Sequence, residues 1–355
     1  QEPSTCKYDS MPAAAIRTGC IDLTLTPQQV GEHIGLILAR PRDLSVLKEL
    51  SEHSNRHRDL FEILLSHTLV DFRQYKETTI NRRIQRRMIA KGVEDFDAYV
   101  DLCRKSVEEV EALYRDLLIS VTRFFRDQDQ FDSLKEVIGE RFGSKKLIKP
   151  IRVWVAGCAT GEEAYSIAIL LAEILGGIEN IAPDAIQIFA TDIDEVALDV
   201  GRKGIYPISA ISDIAGDLQS KYFDIREDVV CLKQKLRGMV MFSRHNVFQD
   251  APFISVDLVS IRNLLIYFNS KLQERVLTRV IYALNPEGYL FLGTSESLGP
   301  MEGHFNQLST AVRLFQLRDR KIASRLTHAA FRSMSVVGSS RTESSGASAV
   351  RALDE

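Results

Sequence analysis

One stretch limits the fold more than any other: residues 151–167, Ile-Arg-Val-Trp-Val-Ala-Gly-Cys-Ala-Thr-Gly-Glu-Glu-Ala-Tyr-Ser-Ile. A β-branched and aromatic run, then Gly157 and Gly161, then an amphipathic segment predicts a strand, a tight loop and a helix N-terminus. The glycines allow the backbone close to a ligand, and a helix start presents N–H groups that have no partner within the helix. Glu162 and Glu163 open that helix. They would repel a pyrophosphate and accept a cofactor carrying an amino group or a sulfonium. The loop therefore suits S-adenosylmethionine better than NAD. On glycine spacing alone, a tight βα turn without a ligand fits equally well.

The chain has 355 residues, 45% of them hydrophobic, enough for two or three domains with real cores. Net charge is −3, so no global field recruits nucleic acid, and electrostatic recognition has to come from a local patch. The five cysteines (Cys6, Cys20, Cys103, Cys158, Cys231) show no Cys-x-x-Cys spacing, which argues against zinc sites and against a disulfide framework. No apolar run is long enough to span a bilayer, and Gln1-Glu2-Pro3-Ser4 carries no signal-peptide pattern. A cytoplasmic protein is expected. Lacking an initiator Met, the first residue reads as a cut point inside a longer polypeptide.

Residues 1–40 offer too little apolar surface to fold alone, and 41–57 read as a linker. From 58 to 145 every periodic segment is helical, with helices expected at 60–67, 78–91, 95–105, 107–120 and 128–141. Gly92 suits the end of the second helix, and Thr78 or Thr79 its N-cap. On that helix Ile80, Ile84 and Met88 form an apolar stripe, Arg82 and Arg86 a row facing away from it, with Arg83 and Arg87 flanking. A solvated face would explain such a charge run. Four arginines without an interleaved acid also suit an acidic partner.

From 146 to 320 strands alternate with helices, the signature of a largely parallel sheet. Strands are expected at 151–156, 185–191, 239–244, 255–261, 288–293 and 312–316, and helices at 162–175, 195–202 and 271–284. An interruption at about 204–238 suggests a small antiparallel unit inserted at the sheet edge. The Ser-, Ala- and Arg-rich tail, 321–355, reads as disordered.

Asp192, ending the second strand, stands where doubly wound domains place a ribose-binding carboxylate, whose two oxygens can accept from both hydroxyls. Asp194 instead suits the N-cap of the next helix. After the fourth strand, Asn263 and Tyr267 emerge at the carboxyl edge, the ligand-binding edge of such sheets, although core and a turn would explain the segment too. Ser120-Val121-Thr122-Arg123-Phe124-Phe125-Arg126-Asp127 could close over a pocket or be only a helix terminus.

Four motifs in order, 117–127, Ala156-Gly157-Cys158-Ala159-Thr160-Gly161-Glu162-Glu163-Ala164-Tyr165-Ser166, Ala190-Thr191-Asp192-Ile193-Asp194 and Arg262-Asn263-Leu264-Leu265-Ile266-Tyr267-Phe268, closely resemble the CheR-type chemotaxis receptor glutamate O-methyltransferases. Gly293-Thr294-Ser295-Glu296-Ser297-Leu298 fits as well. The resemblance covers about 58 to 320. It implies an all-α domain, then a Rossmann-like S-adenosylmethionine-binding domain with an inserted β-subdomain. Residues 10–22, Ser-Met-Pro-Ala-Ala-Ala-Ile-Arg-Thr-Gly-Cys-Ile-Asp, resemble the end of the CheB-type methylesterase domain, whose catalytic residues lie upstream of that stretch. Other domains in one full-length polypeptide are thus expected.

By the same resemblance, Thr122 and Arg126 close over the cofactor, Glu162 and Asp192 hold its amino-acid and ribose parts, and Asn246, Val247, Asn263 and Leu264 line the adenosine side, with Gly157 in the loop. Ser120 stands where the family often has Asn, with shorter reach. Arg126 and Tyr267 match the pair at the reacting centre. The implied reaction turns receptor glutamates into methyl esters and releases S-adenosylhomocysteine, with no metal. Arg82, Arg83, Arg86 and Arg87 would dock the receptor's cytoplasmic helices. No nucleic-acid partner or membrane insertion is expected: a DNA amino-methyltransferase would carry Asn/Asp-Pro-Pro-Tyr/Phe where Asn263-Leu264-Leu265-Ile266 stands. The alternative is a cofactor-binding regulatory or scaffold module of a fused signalling protein.

Overall fold

The computed structural model describes residues 2–6, 12, 16, 24–30, 56–118, 120–143, 149–309 and 312–318. The stretch likened to a methylesterase, apart from isolated residues, the tail, and the linker as far as residue 55 lie outside the described residues; Arg56 and His57, read as the linker's end, already belong to the first helix.

Five helices come first: α1 (Arg56–Thr68), α2 (Glu77–Ala90), α3 (Phe96–Lys105), α4 (Val107–Leu117) and α5 (Gln128–Phe142). Each of α2, α3 and α4 buries one stripe, that of α2 being Ile80, Ile84 and Met88 as its spacing predicts. Asp95 and Ser106 cap α3 and α4 by accepting backbone N–H groups. α2 starts earlier than expected: Lys76 is its N-cap and makes no side-chain cap bond, so neither Thr78 nor Thr79 caps it. At its other end Gly92 donates to the Ile89 carbonyl and Val93 to that of Met88, closing the helix with a Schellman pair. The expected 107–120 helix stops at Leu117, where Leu118 turns to extended backbone and its N–H closes on the Tyr114 carbonyl.

The remainder is β1 (Ile151–Ala156), α6 (Glu162–Ile174), β2 (Ile186–Asp192), α7 (Glu195–Lys203), β3 (Ile205–Pro207), α8 (Gly216–Tyr222), β4 (Phe223–Arg226), β5 (Val229–Leu232), α9 (Gln234–Arg237), β6 (Val240–Arg244), β7 (Val256–Ile261), α10 (Ser270–Ala283), β8 (Leu284–Leu292), β9 (Phe305–Gln307) and β10 (Leu314–Leu317). Seven strands form one sheet in the order β6-β2-β1-β7-β8-β10-β9. The first five pair in parallel, while β10 is antiparallel to both its neighbours. The chain leaves β1 for β2 on one side and returns to β7 on the other, so a crevice opens at the carboxyl ends of these strands.

Two regions depart from the sequence reading. α6 is buried along almost its whole circumference rather than on one face, since α5 and the α9 turn pack against it in addition to the sheet. β8 begins at Leu284, before Asn285-Pro286-Glu287-Gly288, and pairs with Val256 across a register shift. The insertion is a separate antiparallel sheet, order β3-β5-β4.

The helical and sheet parts share one core. Leu64, Ile80, Tyr99 and Leu113 belong to the same apolar cluster as Trp154, Val259, Leu272 and Leu290. Between α1 and α2, the chain pairs like a strand with the segment after β7: Lys76 donates to the Tyr267 carbonyl (2.8 Å) and Asn269 to that of Gln74 (3.0 Å).

Candidate functional site

The loop after β1 needs both its glycines. Gly157 and Gly161 have φ of +73° and +95°, and a Cβ on Gly161 would fall 2.8 Å from the Phe242 ring. A Cβ on Gly157 would fall 3.0 Å from a Leu264 methyl, which places Leu264 directly against the loop.

Asp192 holds this loop in place. Its Oδ2 accepts the Ala159 N–H (2.8 Å), and its Oδ1 accepts those of Ile193 (2.7 Å) and Asp194 (3.0 Å). Three of about four acceptor positions are thereby taken. A grip on both ribose hydroxyls is not compatible with this arrangement; one hydroxyl at Oδ2 is. Burial pushes the Asp192 carboxyl up, against the pull of the three N–H groups. Asp194 caps α7 through Val196 and Ala197, as its position predicts. Asp194 also accepts the Ser120 hydroxyl at 2.9 Å, so Ser120 acts on the loop through Asp194.

Glu162 and Glu163, alike in sequence, differ in surroundings. Glu162 lines a cleft of about 490 Å3 whose walls include Thr122, Arg126, Tyr206, Ser209 and Asp213. It accepts the Thr160 hydroxyl at 2.6 Å, and burial raises its pKa against that bond. Glu163 accepts from Ser260 (2.7 Å) and pairs with Arg262 (3.3 Å). The repulsion expected from both carboxylates is therefore exerted by one. An acidic first turn that keeps a single un-neutralised carboxylate at the cleft fits a cofactor's ammonium and opposes a pyrophosphate.

The 120–127 segment forms the facing wall. Phe125 and Asp127 have φ of +48° and +62°, left-handed values costly without glycine. Hydrogen bonds hold this shape: Phe125 N–H to the Ser166 hydroxyl (2.8 Å), and Arg126 Nη1 to the Val121 carbonyl (3.1 Å).

At the end of β7, Asn263 is again left-handed, φ +58°. The buried Glu296 carboxylate accepts backbone N–H groups from Asn263 (3.0 Å), Leu264 (2.9 Å), Leu265 (2.7 Å) and Gly293 (2.7 Å). One acid thus fixes the whole turn that presents Asn263 and Leu264. The signal was the Glu of Gly293-Thr294-Ser295-Glu296, which sequence reasoning noticed without giving it a role. Asn246 spends its side chain locally, accepting from Phe248 (3.2 Å) and donating to Gln249 (2.9 Å), and Val247 is buried beside it. This loop still borders the site, because His245 donates to the Asp192 carbonyl at 2.9 Å.

Tyr267 is half-buried; burial raises its hydroxyl pKa, opposed by the guanidinium charges of Arg126 and Arg83. The positive charges of Arg126 and of one α2 arginine thus both lie near enough to be felt at the Tyr267 hydroxyl. Of the remaining α2 arginines, Arg87 grips the buried Glu109 with both ends of its fork, at 2.9 and 2.7 Å, and Lys91 and Tyr99 bind the same carboxylate. That takes Arg87 out of the docking set: the acid missing from α2 is supplied by α4. Arg86 lies 3.8 Å from Asp116, and Arg82 is exposed.

Residues 57–118 match the CheR methyltransferase all-alpha domain, and residues 120–314 match the CheR methyltransferase SAM-binding domain. A chemotaxis protein methyltransferase of Salmonella typhimurium is 32% identical over 293 residues, 78% of this chain and 94% of that protein. One of Escherichia coli is 30% identical, covering 74% and 92%. An uncharacterised 104.1 kDa protein of Rhodobacter capsulatus is 34% identical over 340 residues, 89% of this chain. The chain spans 36% of that longer relative.

Proposed function

The chain belongs to the CheR methyltransferase family, and from that premise we propose that it methylates glutamate side chains of methyl-accepting chemotaxis receptors, using S-adenosylmethionine. The observation that carries this reading is the cleft itself, where Glu162, Thr122 and Arg126 meet beside the Asp192-stapled glycine loop. Glu162 would take the cofactor's ammonium, Asp192 one ribose hydroxyl, and the Asn246-Val247 and Asn263-Leu264 turns its adenosine. When bound, the cofactor supplies an electrophilic methyl on a sulfonium.

A glutamate with a pKa of about 4.3 is ionised at neutral pH, so the protein has no proton to remove. Its task is placement. Arg126 and Tyr267 orient the incoming carboxylate in line with the methyl group and exclude water from it. Tyr267 binds it more weakly than the guanidinium and blunts it less. Opposite charges cancel as the ester forms, so the half-buried setting of Tyr267 favours the transition state over separated ions.

Incubation of a receptor cytoplasmic fragment with the protein and methyl-labelled cofactor tests the reading. Mass spectrometry should place label on glutamates as base-labile esters, and Arg126→Ala and Tyr267→Phe should each slow single-turnover transfer in folded protein. Label on another residue type, or full rates in both variants, would remove the substrate or the proposed pair.

A further inference from the structure

The side chain of Arg262 is fully buried, yet it carries a charge and lies behind the cleft rather than in it. Its Nη2 donates to the Arg126 carbonyl (2.8 Å) and to the Asp127 carboxylate (2.9 Å), and its Nη1 meets Glu163 at 3.3 Å. The guanidinium lies against the rings of Phe131 on α5 and Phe291 on β8, 5.1 and 4.8 Å from their centroids, where the two rings meet edge to face. All three acceptors belong to, or directly adjoin, residues of the cleft: Arg126 itself, Asp127, and the neighbour of Glu162.

We propose that Arg262 is a positioning residue of the cofactor cleft, fixing the main chain of Arg126 relative to the first turn of α6 that carries Glu162. The two walls come from segments about 35 positions apart and carry groups of opposite charge. Bound directly to each other across an empty cleft, Arg126 and Glu162 would close it. Arg262 holds the Arg126 main chain and Glu163, the neighbour of Glu162, from behind, while Arg126 donates to the Val121 carbonyl and Glu162 accepts from Thr160, which leaves the rest of each charged group to a ligand. The same bonds to Arg126 and Asp127 stabilise the left-handed turn at Asp127 that starts α5. A planar fork is required: a lysine ammonium is a point charge on a single nitrogen and cannot reach the Arg126 carbonyl, Asp127 and Glu163 at once from one buried position.

The inference rests on the cofactor assignment above, so its test separates the two. Calorimetry with S-adenosylhomocysteine needs no receptor. Arg262→Lys should weaken binding about tenfold, the scale of coupling within one hydrogen-bond network. In an Arg126→Ala background the same change should have no further effect. Leu134→Ala, a core truncation on α5, should lower the melting temperature without this loss. Should Arg262→Lys fail to fold, Glu163→Gln keeps the shape and should weaken binding about threefold, the lower end of coupling within one hydrogen-bond network. Wild-type affinity in these variants, equal loss in both backgrounds, or equal loss in Leu134→Ala would overturn the positioning role. If the wild-type protein binds no cofactor, the functional reading fails, and amide exchange decides this one by itself. Exchange at Phe125 and its neighbours should quicken in Arg262→Lys and not in Leu134→Ala; unchanged exchange overturns the proposal.

Discussion

Glu162 is the residue whose environment most directly predicts a ligand's charge, since its raised pKa reflects burial with one hydroxyl as partner. The linkage has a definite sign. With a folded pKa above the ordinary glutamate value of 4.5, this carboxyl favours the folded state most below that value, and the contribution is lost as pH rises through the folded pKa. Cofactor binding runs the other way, because an ammonium needs the carboxylate. Affinity should fall as pH drops through the raised pKa, and Glu162→Gln should flatten that dependence while costing about 1.5–3 kcal/mol at neutral pH. A calorimetric pH series on both proteins checks this; parallel curves would place the ammonium elsewhere. Asp192→Ala should weaken cofactor binding by about 1.5–3 kcal/mol, the scale for losing a charged acceptor. Here the loss has two sources, a ribose contact and the release of the Ala159 N–H that shapes the loop. Unchanged affinity in a folded variant would assign the ribose to another group.

On α2, neighbouring arginines separate into structural and surface roles. Arg87→Met should destabilise the fold by about 3 kcal/mol, the lower end for breaking a buried pair, because Lys91 and Tyr99 still reach Glu109. Denaturant unfolding measures it. Changing Arg82 and Arg83 together to Gln should instead leave stability and cofactor affinity nearly unchanged and raise the receptor KM. That effect should fade as ionic strength passes about 0.15 M, where charges are screened beyond roughly 8 Å. Steady-state kinetics across a salt series compares them, and an unchanged KM would make this a solvated face. The β4–β5 hairpin supports a further expectation. By the family resemblance, a glycine-containing loop of the inserted subdomain would be expected to bind the receptor's C-terminal peptide, whereas here a tight turn through Glu227 and Asp228 joins the strands without glycine. A free receptor C-terminal pentapeptide should bind more weakly than about 1 μM, or −8 kcal/mol. Tighter binding by calorimetry would contradict this.

At the scale of the whole molecule, the helical part and the sheet share one apolar core across the described residues, so they are expected to unfold as a single unit. Trp154, the chain's one tryptophan, lies in β1 within that core, so its fluorescence reports on the sheet while circular dichroism is dominated by helix. The two signals should give coincident unfolding transitions. A helical transition well before the Trp154 change would show that the parts unfold separately. Among the described residues no helix is long and apolar enough to cross a membrane.

Much of this was legible in the sequence, because periodicity and turn chemistry act locally. The alternation of strand and helix after residue 150, the glycine loop, the stripe on α2 and the Asp194 cap are each fixed by residues a few positions apart. Strand order, the shared core and the identity of each charge's partner depend on contacts between distant segments. The sequence shows Glu162 beside Glu163 and Arg86 beside Arg87, with nothing local to tell them apart. Folding brings Arg262 to Glu163, so Glu162 is left to face a ligand, and it brings the buried Glu109 to Arg87 at 2.7 Å while Arg86 meets only the more distant Asp116 at 3.8 Å. Glu296 is the extreme case: it gathers the backbone N–H groups of Asn263, Leu264 and Leu265 together with that of Gly293, which α10 and β8 separate from them in the chain, and so fixes the turn that presents Asn263 and Leu264. A carboxylate's role is set by the donors around it, and only the tertiary structure decided which donors those are.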